Sequence, residues 1–335
     1  MDEKAICVPS AVKDAEGNLY IPVRPLPYDG GVIRWTAEKV TPDGRRVSGF
    51  MAEEFCPRAF LPYLNRDAQT GQWIFAGGSP ETERMFSAAK ARFFTLMAGT
   101  SPKFPPRKPA GPDGGVWIVE TGPAVPLRAF AERHFEAVPT ASYVIQCLRI
   151  LEGLARHLKA LRRDRAVLRL SPDTALLFPD SRGMTVGFTD PAYLPPRTAL
   201  PVLFSDYPLS MFGWDAATDH YADPAVLSAF RSACVNGAAD SSALGGACGL
   251  HSAAQLLCFL LFQKTWAPSP ETLFIRFPAV GVLRKEALRG QLEAIAALGL
   301  GVGQSGARDE DALSHFSGMI GNALRLAETE AAFAF

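Results

Sequence analysis

Acidic residues that could do acid–base chemistry stand at three places in the sequence. Glu53 and Glu54 are adjacent, whereas Asp173 and Asp190 follow far downstream. Two carboxylates serve as general acid and general base only when both reach the same substrate. Neighbouring residues of a strand point to opposite faces, so Glu53 and Glu54 cannot converge. Asp173 and Asp190 are weak candidates for a metal site, and Asp173, directly after Pro172, is more typical of a turn.

The cysteines and histidines give no metal-binding pattern. The six cysteines contain no Cys-x-x-Cys pair, and the five histidines are scattered along the chain. Zinc sites are recognised by short, regular spacings of these two residue types. We therefore predict neither a metal nor a cofactor on this basis.

Composition narrows the classes of partner. The chain has 335 residues, of which 48% are apolar, which suits an ordered protein of two lobes. Lys plus Arg equals Asp plus Glu, 34 against 34, so no general field attracts nucleic acid. The most apolar run, 250–262, is too short to span a bilayer. With no apolar run at the N-terminus, we expect a cytoplasmic protein that binds neither nucleic acid nor membrane.

The first 120 residues have the character of a sheet with one helix. β-Branched and aromatic residues between Gly-, Pro- and Asp-rich turns predict strands at 18–26, 32–40, 45–55, 72–78 and 116–120. Apolar residues at helical spacing predict a helix from Pro80 to about Gly99. The Pro-, Gly- and Lys-rich stretch 100–115 is predicted to be an exposed loop.

The rest of the chain is predicted to be mainly helical. The predicted helices are 125–135, 140–162, 250–263, 283–298 and 309–328, and the predicted short strands are 166–170, 174–178 and 184–188. The stretch 191–248 is irregular, with one helix at 224–235. The order predicts an α+β fold of two unequal lobes, a β-rich lobe at 1–120 and a larger helical lobe at 121–335.

Several stretches resemble the eukaryotic-like protein kinase fold, in particular the bacterial Ser/Thr kinases. They are FMAEEFCP (50–57), VWIVETGPAVPLRAFAERH (116–134), SYVIQCLRILEGLARHL (142–158), LSPDTALLF (170–178), MTVGFTD (184–190) and GLHSAAQLLCFLL (249–261). In this resemblance, the first is similar to the third strand of the small lobe. The second is similar to the last strand, the hinge and a helix, and the fourth to the tail of the catalytic loop. The match is clear over 115–195, moderate over 28–98 and weak after 248.

The resemblance places the charged positions of a kinase on residues that cannot do their work. A kinase uses a lysine on phosphate, a glutamate on that lysine, an aspartate and an asparagine in the catalytic loop, and a metal-binding aspartate. Those positions fall, in that order, on Glu53, Ala89, Arg169, Thr174 and Phe188, and an aspartate of the central helix falls on Gly249. The glycine-rich loop keeps only Gly30 and Gly31, and the hinge falls on Glu120 and Gly122. Arg169 could pair with Glu53 or Asp190 as a built-in cation.

The resemblance therefore implies an inactive kinase-like protein, or pseudokinase, that binds neither nucleotide nor magnesium. We expect it to act as a scaffold or regulatory subunit with a protein partner. The candidate partner surface is 191–248, whose aromatic residues are Phe204, Tyr207, Phe212, Trp214 and Tyr221. These aromatics are equally consistent with packing onto the large lobe. Two alternatives stay open: an atypical ATP-using transferase with Asp173, Asp190 and Glu53 as its acids, and a nucleotide sensor without turnover.

Overall fold

The structure of the chain is a computed structural model. The described residues are 11–26, 32–56, 58–67, 73–98, 106–111, 115–136, 139–161, 170–172, 175–180, 183–188, 220–221, 249–263, 286–300 and 309–332. Contacts divide them into two compact units. The first extends to Ala124 and the second begins at Val125, with Phe188 grouped in the first.

The first unit is built on an antiparallel sheet of six strands. In spatial order they are β1 (Val12–Lys13), β2 (Leu19–Pro25), β3 (Val32–Val40), β4 (Arg46–Phe55), β8 (Val116–Glu120) and β7 (Arg107–Ala110). The two edges of this sheet meet, because Asp14 forms a β-bridge with Ala110 and the N–H of Gly111 donates to the carbonyl of Lys13. The bridge closes the sheet on itself and covers backbone groups that an open edge would expose.

A hairpin and a helix complete this unit. A 3-10 helix (Arg58–Tyr63) leads into β5 (Leu64–Arg66), which pairs with β6 (Trp73–Phe75) before helix α1 (Pro80–Ala98). Ser79 caps α1 by accepting a hydrogen bond from the N–H of Thr82, as serine commonly does at this position. The ring of Phe86 in α1 lies within 6.0 Å of the rings of Phe55, Phe60 and Phe75. These contacts fix the helix to the sheet and the hairpin.

The second unit is mainly helical. It contains a small sheet of β11 (Gly183–Phe188), β10 (Ala175–Asp180) and β9 (Val125–Pro126). Its described residues also form five helices. The helices are α2 (Leu127–His134), α3 (Ala141–Leu161), α4 (Leu250–Phe262), α5 (Glu286–Gly299) and α6 (Asp309–Ala332). Every residue of α4 up to Leu261 is buried, and α3 and α5 pack against it. The hydroxyl of Tyr143 in α3 donates to the carbonyl of Leu260 at 2.6 Å.

The predicted α+β class is confirmed, with strands in the first part and helices in the second. One prediction is wrong: the stretch 100–115 is not simply an exposed loop, because Arg107–Ala110 forms β7 and Ala110 is buried. Pairing with β8 makes this segment a strand although Pro109 has no N–H to donate. The predicted helix 224–235 and most of the predicted strand 166–170 lie outside the described residues. Among the helices that the structure describes, none has the length and apolar character needed to cross a bilayer.

The close contact between α4 and α5 gives a sharp test of the packing. A Cβ added to Gly299 would lie 2.5 Å from the Cβ of Ala254 and 2.6 Å from the carbonyl oxygen of Leu250. We expect Gly299→Ala to lower the free energy of unfolding by about 1–3 kcal/mol, because overpacking pushes the helices apart. Urea denaturation of the purified chain measures this.

Gly290→Ala in the same helix is the matched control. Gly290 is exposed, and an added Cβ there would meet nothing within 4 Å. Alanine is the better helix former, so this change should raise the free energy of unfolding by up to about 1 kcal/mol. Equal effects of the two substitutions would contradict the observed packing.

Candidate functional site

The residue at the lysine position, Glu53, is fully buried in an ion pair. It lies on β4 directly opposite Arg34 of β3, and its Oε1 accepts from Nε of Arg34 at 3.0 Å. Both side chains are 0% exposed. Arg107 of β7 approaches the other carboxylate oxygen, with its Nη1 3.9 Å from Oε2. A carboxylate therefore occupies a position where the resemblance implies a cation.

The side chain at the lysine position has the opposite charge to that of a phosphate-binding lysine. A buried charge is tolerated when an opposite charge and hydrogen bonds compensate its lost hydration, and Arg34 supplies both to Glu53. The side chain would repel a polyphosphate rather than bind it. Arg169, which the sequence suggested as a partner for Glu53, lies outside the described residues. The sequence alone did not identify Arg34 as the partner of Glu53. Its position on the neighbouring predicted strand was the only indication.

Glu54 points to the other face of β4 and has partners of its own. Arg66 donates to both of its carboxylate oxygens, at 3.0 and 2.8 Å, and Trp35 Nε1 lies 3.4 Å from Oε2. Within the β5–β6 hairpin, the guanidinium of Arg66 also lies 4.3 Å from the ring centroid of Trp73. The bonds from Arg66 to Glu54 therefore tie this hairpin to the sheet. The two glutamates thus belong to separate clusters, as neighbours in a strand should.

Cys56 follows this cluster directly and is not a reactive thiol. Burial, with a smaller contribution from the nearby carboxylate of Glu54, raises the pKa of Cys56 to about 12. A nucleophilic cysteine needs a lowered pKa, because the thiolate is the reactive form. Cys56 therefore belongs to the core.

Helix α1 brings no carboxylate to the position of the kinase glutamate. Ala89 is buried there, and its neighbours along the chain are Ala88 and Lys90. The acidic residues of α1, Glu81 and Glu83, lie in its first turn and are exposed. The partners of Glu53 instead come from strands β3 and β7.

The hinge segment after β8 uses its backbone donors internally. The N–H of Glu120 donates to the carbonyl of Pro106, and the N–H groups of Thr121 and Gly122 both donate to the carbonyl of Gly49, at 2.9, 2.8 and 2.9 Å. A hydrogen-bonded purine base would need a free donor in such a segment. These three N–H groups are already committed.

The contact between Gly49 and Gly122 can be tested by substitution. Gly49 has a φ of 98°, and an added Cβ would lie 2.7 Å from the carbonyl oxygen of Gly122. Gly44 has a φ of 78°, but an added Cβ there would meet nothing within 4 Å. Both alanine variants carry backbone strain of about 1–2 kcal/mol. We expect Gly49→Ala to lose about 1–3 kcal/mol more than Gly44→Ala in urea denaturation, because only it also displaces the hinge.

In the second unit, side chains in the first turn of α4 form hydrogen bonds with the backbone at Leu170 and at 220–221. Ser252 Oγ accepts from the N–H of Leu170 at 3.1 Å and donates to the carbonyl of Tyr221 at 2.6 Å. His251 Nε2 lies 2.9 Å from the carbonyl oxygen of His220, which can only accept, so this nitrogen carries the proton. Gly249, the position of the expected aspartate, has a φ of 102° and ends the turn before the helix. Sequence reasoning missed Ser252, which holds the backbone at Leu170.

Most of the remaining candidates lie outside the described residues. They are Gly30, Gly31, Arg169, Asp173, Thr174, Asp190, Phe204, Tyr207, Phe212 and Trp214. Phe188 ends β11, and its side chain is likewise not described. Tyr221 is half-buried, and its backbone carbonyl is the acceptor for Ser252. Among the residues that are described, no three His, Cys, Asp or Glu side chains form a group that could hold a metal ion.

Comparison with known proteins finds kinase domains among solved structures. No protein-family model and no curated protein matches the chain. A double mutant of the Mycobacterium tuberculosis PknI kinase domain is similar, with a TM-score of 0.45, 14% identity, and coverage of 95% of this chain and 100% of that one. A second double mutant of that domain has a TM-score of 0.44 and 15% identity, with coverage of 94% of this chain and 98% of that one. A single mutant has a TM-score of 0.43 and 16% identity, with coverage of 95% of this chain and 99% of that one. This likeness says nothing of catalysis, substrates or partners.

Proposed function

We propose that this chain is a catalytically inactive, protein-kinase-like protein that acts as a protein-binding scaffold or regulatory subunit in a bacterial cytoplasm. The observation that carries the proposal is Glu53. At the position where the sequence resemblance calls for a phosphate-binding lysine, a carboxylate is 0% exposed and paired with Arg34. At this position the chain presents an anion that is already paired with an arginine, not the cation that binds phosphate in a kinase.

Two further observations support the loss of nucleotide binding. The hinge N–H groups of Glu120, Thr121 and Gly122 donate within the unit. Ala89 supplies no carboxylate from α1. Catalysis of phosphoryl transfer consists mostly of positioning and charge stabilisation, so a chain without these groups has lost most of what the reaction needs.

Glu53 is also unsuited to the alternative role of an acid in a rearranged transferase. A metal-binding or proton-transferring carboxylate must reach substrate or metal. Glu53 would first have to leave Arg34 and become accessible, which costs the stabilisation of the buried pair. Asp173 and Asp190 are the other acids of that alternative.

A thermal-shift titration of the purified chain with ATP, ADP and GTP, each with and without magnesium, tests the proposal. A ligand that binds only the folded chain at about 100 times its dissociation constant adds about 2.7 kcal/mol of stability. We expect no nucleotide to raise the melting temperature, and no phosphate to be released from ATP. A magnesium-dependent shift, or turnover lost in Asp190→Ala, would overturn the proposal.

The scaffold role needs its own experiment. We propose that 191–248 carries the partner surface, with its aromatic side chains as anchors, because aromatic residues are enriched among the strongest contacts of interfaces. Affinity capture from the source cell should recover a partner with the wild-type chain and lose it with Phe212→Ala and Trp214→Ala combined. Val23→Ala, an exposed apolar residue of β2, is the control and should keep the partner. Loss of the partner in both variants, or in neither, would count against this surface.

A further inference from the structure

The carboxylate of Glu53 lies between two arginines in the way that a bound anion would. Its Oε1 is 3.0 Å from Nε of Arg34, and its Oε2 is 3.9 Å from Nη1 of Arg107. The side chains of Glu53 and Arg34 are 0% exposed, and that of Arg107 is 5% exposed. Each oxygen thus faces a different guanidinium, and guanidinium groups are the usual protein donors to carboxylates and phosphates.

The two arginines are held by strands on either side of Glu53. Arg34 is its direct cross-strand neighbour on β3. On the other side, Glu53 is opposite Trp117 of β8, and Trp117 is opposite Pro109 of β7. Arg107 stands two residues before Pro109 and therefore points to the same face of the sheet. Backbone hydrogen bonds of the sheet, rather than the Glu53 side chain, set the spacing of the two arginines.

We infer that Arg34 and Arg107 form a receptor for a small carboxylate, which the chain's own Glu53 occupies. The inference rests on the proposed function, since a receptor filled by its own side chain has no place for an external phosphate. It adds that the fold keeps an anion-binding geometry at this face and places its own carboxylate there. The ligand class follows from the planar O–C–O group that Glu53 places between the arginines.

Shortening Glu53 to alanine removes a group with the heavy atoms of acetate. Glu53→Ala takes away Cγ and the carboxylate, and so removes the anion that lies between Arg34 and Arg107. Acetate that enters this space restores both the charge and the volume that were lost. Formate restores the charge alone, and acetamide restores the volume alone. Comparing the three separates recognition of an anion from the filling of a cavity.

The experiment is a thermal-shift titration of Glu53→Ala with sodium acetate, sodium formate and acetamide, against sodium chloride at equal ionic strength. At about ten times its dissociation constant, acetate should raise the folding equilibrium constant of this variant about tenfold. Formate should also raise this equilibrium constant, and acetamide should change it little. The wild-type chain and Glu53→Gln, in which the space stays filled, should respond to none of them.

The other outcomes are equally decisive. A response to acetamide as large as that to acetate, or no response to either, overturns the inference. If Glu53→Ala does not fold in chloride, its refolding yield in each of the same solutes becomes the measurement. Recovery in acetate but not in acetamide supports the receptor, and recovery in none contradicts it. Binding of nucleotide by the wild-type chain would instead defeat the proposed function, whatever acetate does to the variant.

Discussion

Replacing Glu53 by glutamine is expected to lower the free energy of unfolding by about 3–5 kcal/mol, the usual effect of removing one partner of a buried ion pair. Glutamine keeps the shape of the side chain but not its charge. The guanidinium of Arg34, 0% exposed and 3.0 Å from the carboxylate in the wild-type chain, would then face an amide. Urea denaturation of both proteins at neutral pH gives the difference.

A double variant shows whether the loss comes from the uncompensated charge. Buried ion pairs can often be replaced by apolar residues of similar volume at little cost. Arg34→Met combined with Glu53→Leu should therefore be more stable than Glu53→Gln alone. Glu53→Lys should be the least stable of the series, because it places a third cation beside Arg34 and Arg107. Although Glu53→Lys places a lysine at the kinase position, we expect this variant not to bind ATP.

An exposed ion pair provides the control. Glu328 pairs with Arg149 at 3.4 Å, and the two side chains are 52% and 54% exposed. Glu328→Ala should change the free energy of unfolding by no more than about 0.5 kcal/mol, as is usual at the surface. If Glu53→Gln were as mild as Glu328→Ala, Glu53 would not be the buried, paired carboxylate on which the proposed function depends.

Elements with a long periodic pattern could be predicted closely from the sequence. The helix predicted at 140–162 is Ala141–Leu161, because its apolar stripe from Val144 to Leu158 is buried. The two edge strands of the six-stranded sheet could not be predicted. β1 has two residues, and β7 contains Pro109 and two basic residues. Pairing with β2 and β8 makes these segments strands, and local sequence carries no sign of such pairing.

The candidate site could be located from the sequence but not completed. The resemblance pointed to Glu53, and strand alternation separated it from Glu54. The partner of Glu53 lies nineteen positions away, and the register of β3 on β4 decides that it is Arg34. A shift of one residue would have sent Arg34 to the other face. Ser252 and Leu170 are 82 positions apart, so only the tertiary fold brings them together.

The second large effect is expected at Asp14, where the sheet closes. Its carboxylate, 1% exposed, accepts from Lys108 Nζ at 2.8 Å, from Asn18 Nδ2 at 2.8 Å and from Tyr20 OH at 3.1 Å. It also accepts from the N–H groups of Asn18 and Glu16 at 2.9 and 3.0 Å. Hydrogen bonds to charged groups contribute about 1.5–3 kcal/mol, so Asp14→Asn should cost about 3 kcal/mol at neutral pH.

This loss should depend on pH in a defined direction. Burial alone would raise the pKa of Asp14, but hydrogen bonds from Lys108, Asn18 and Tyr20 outweigh it and hold the pKa well below its usual range. The folded chain therefore binds this proton less readily than the unfolded chain does. The stabilisation is complete above the unfolded pKa, 3.8, and is lost as the pH falls below it toward the folded pKa. The raised pKa of Lys108 keeps that partner charged throughout this range.

The difference in unfolding free energy between the wild-type chain and Asp14→Asn, measured from neutral pH down to about pH 3, should therefore narrow below about pH 4, because protonated aspartate resembles asparagine. Glu16→Gln is the matched control. Glu16 also pairs with Lys108, at 3.2 Å, but is 73% exposed, and screening by solvent should leave its variant close to the wild-type chain at every pH. A gap for Asp14→Asn that stays constant with pH would mean that neutral hydrogen bonds, rather than a carboxylate held by Lys108, close the sheet at Asp14.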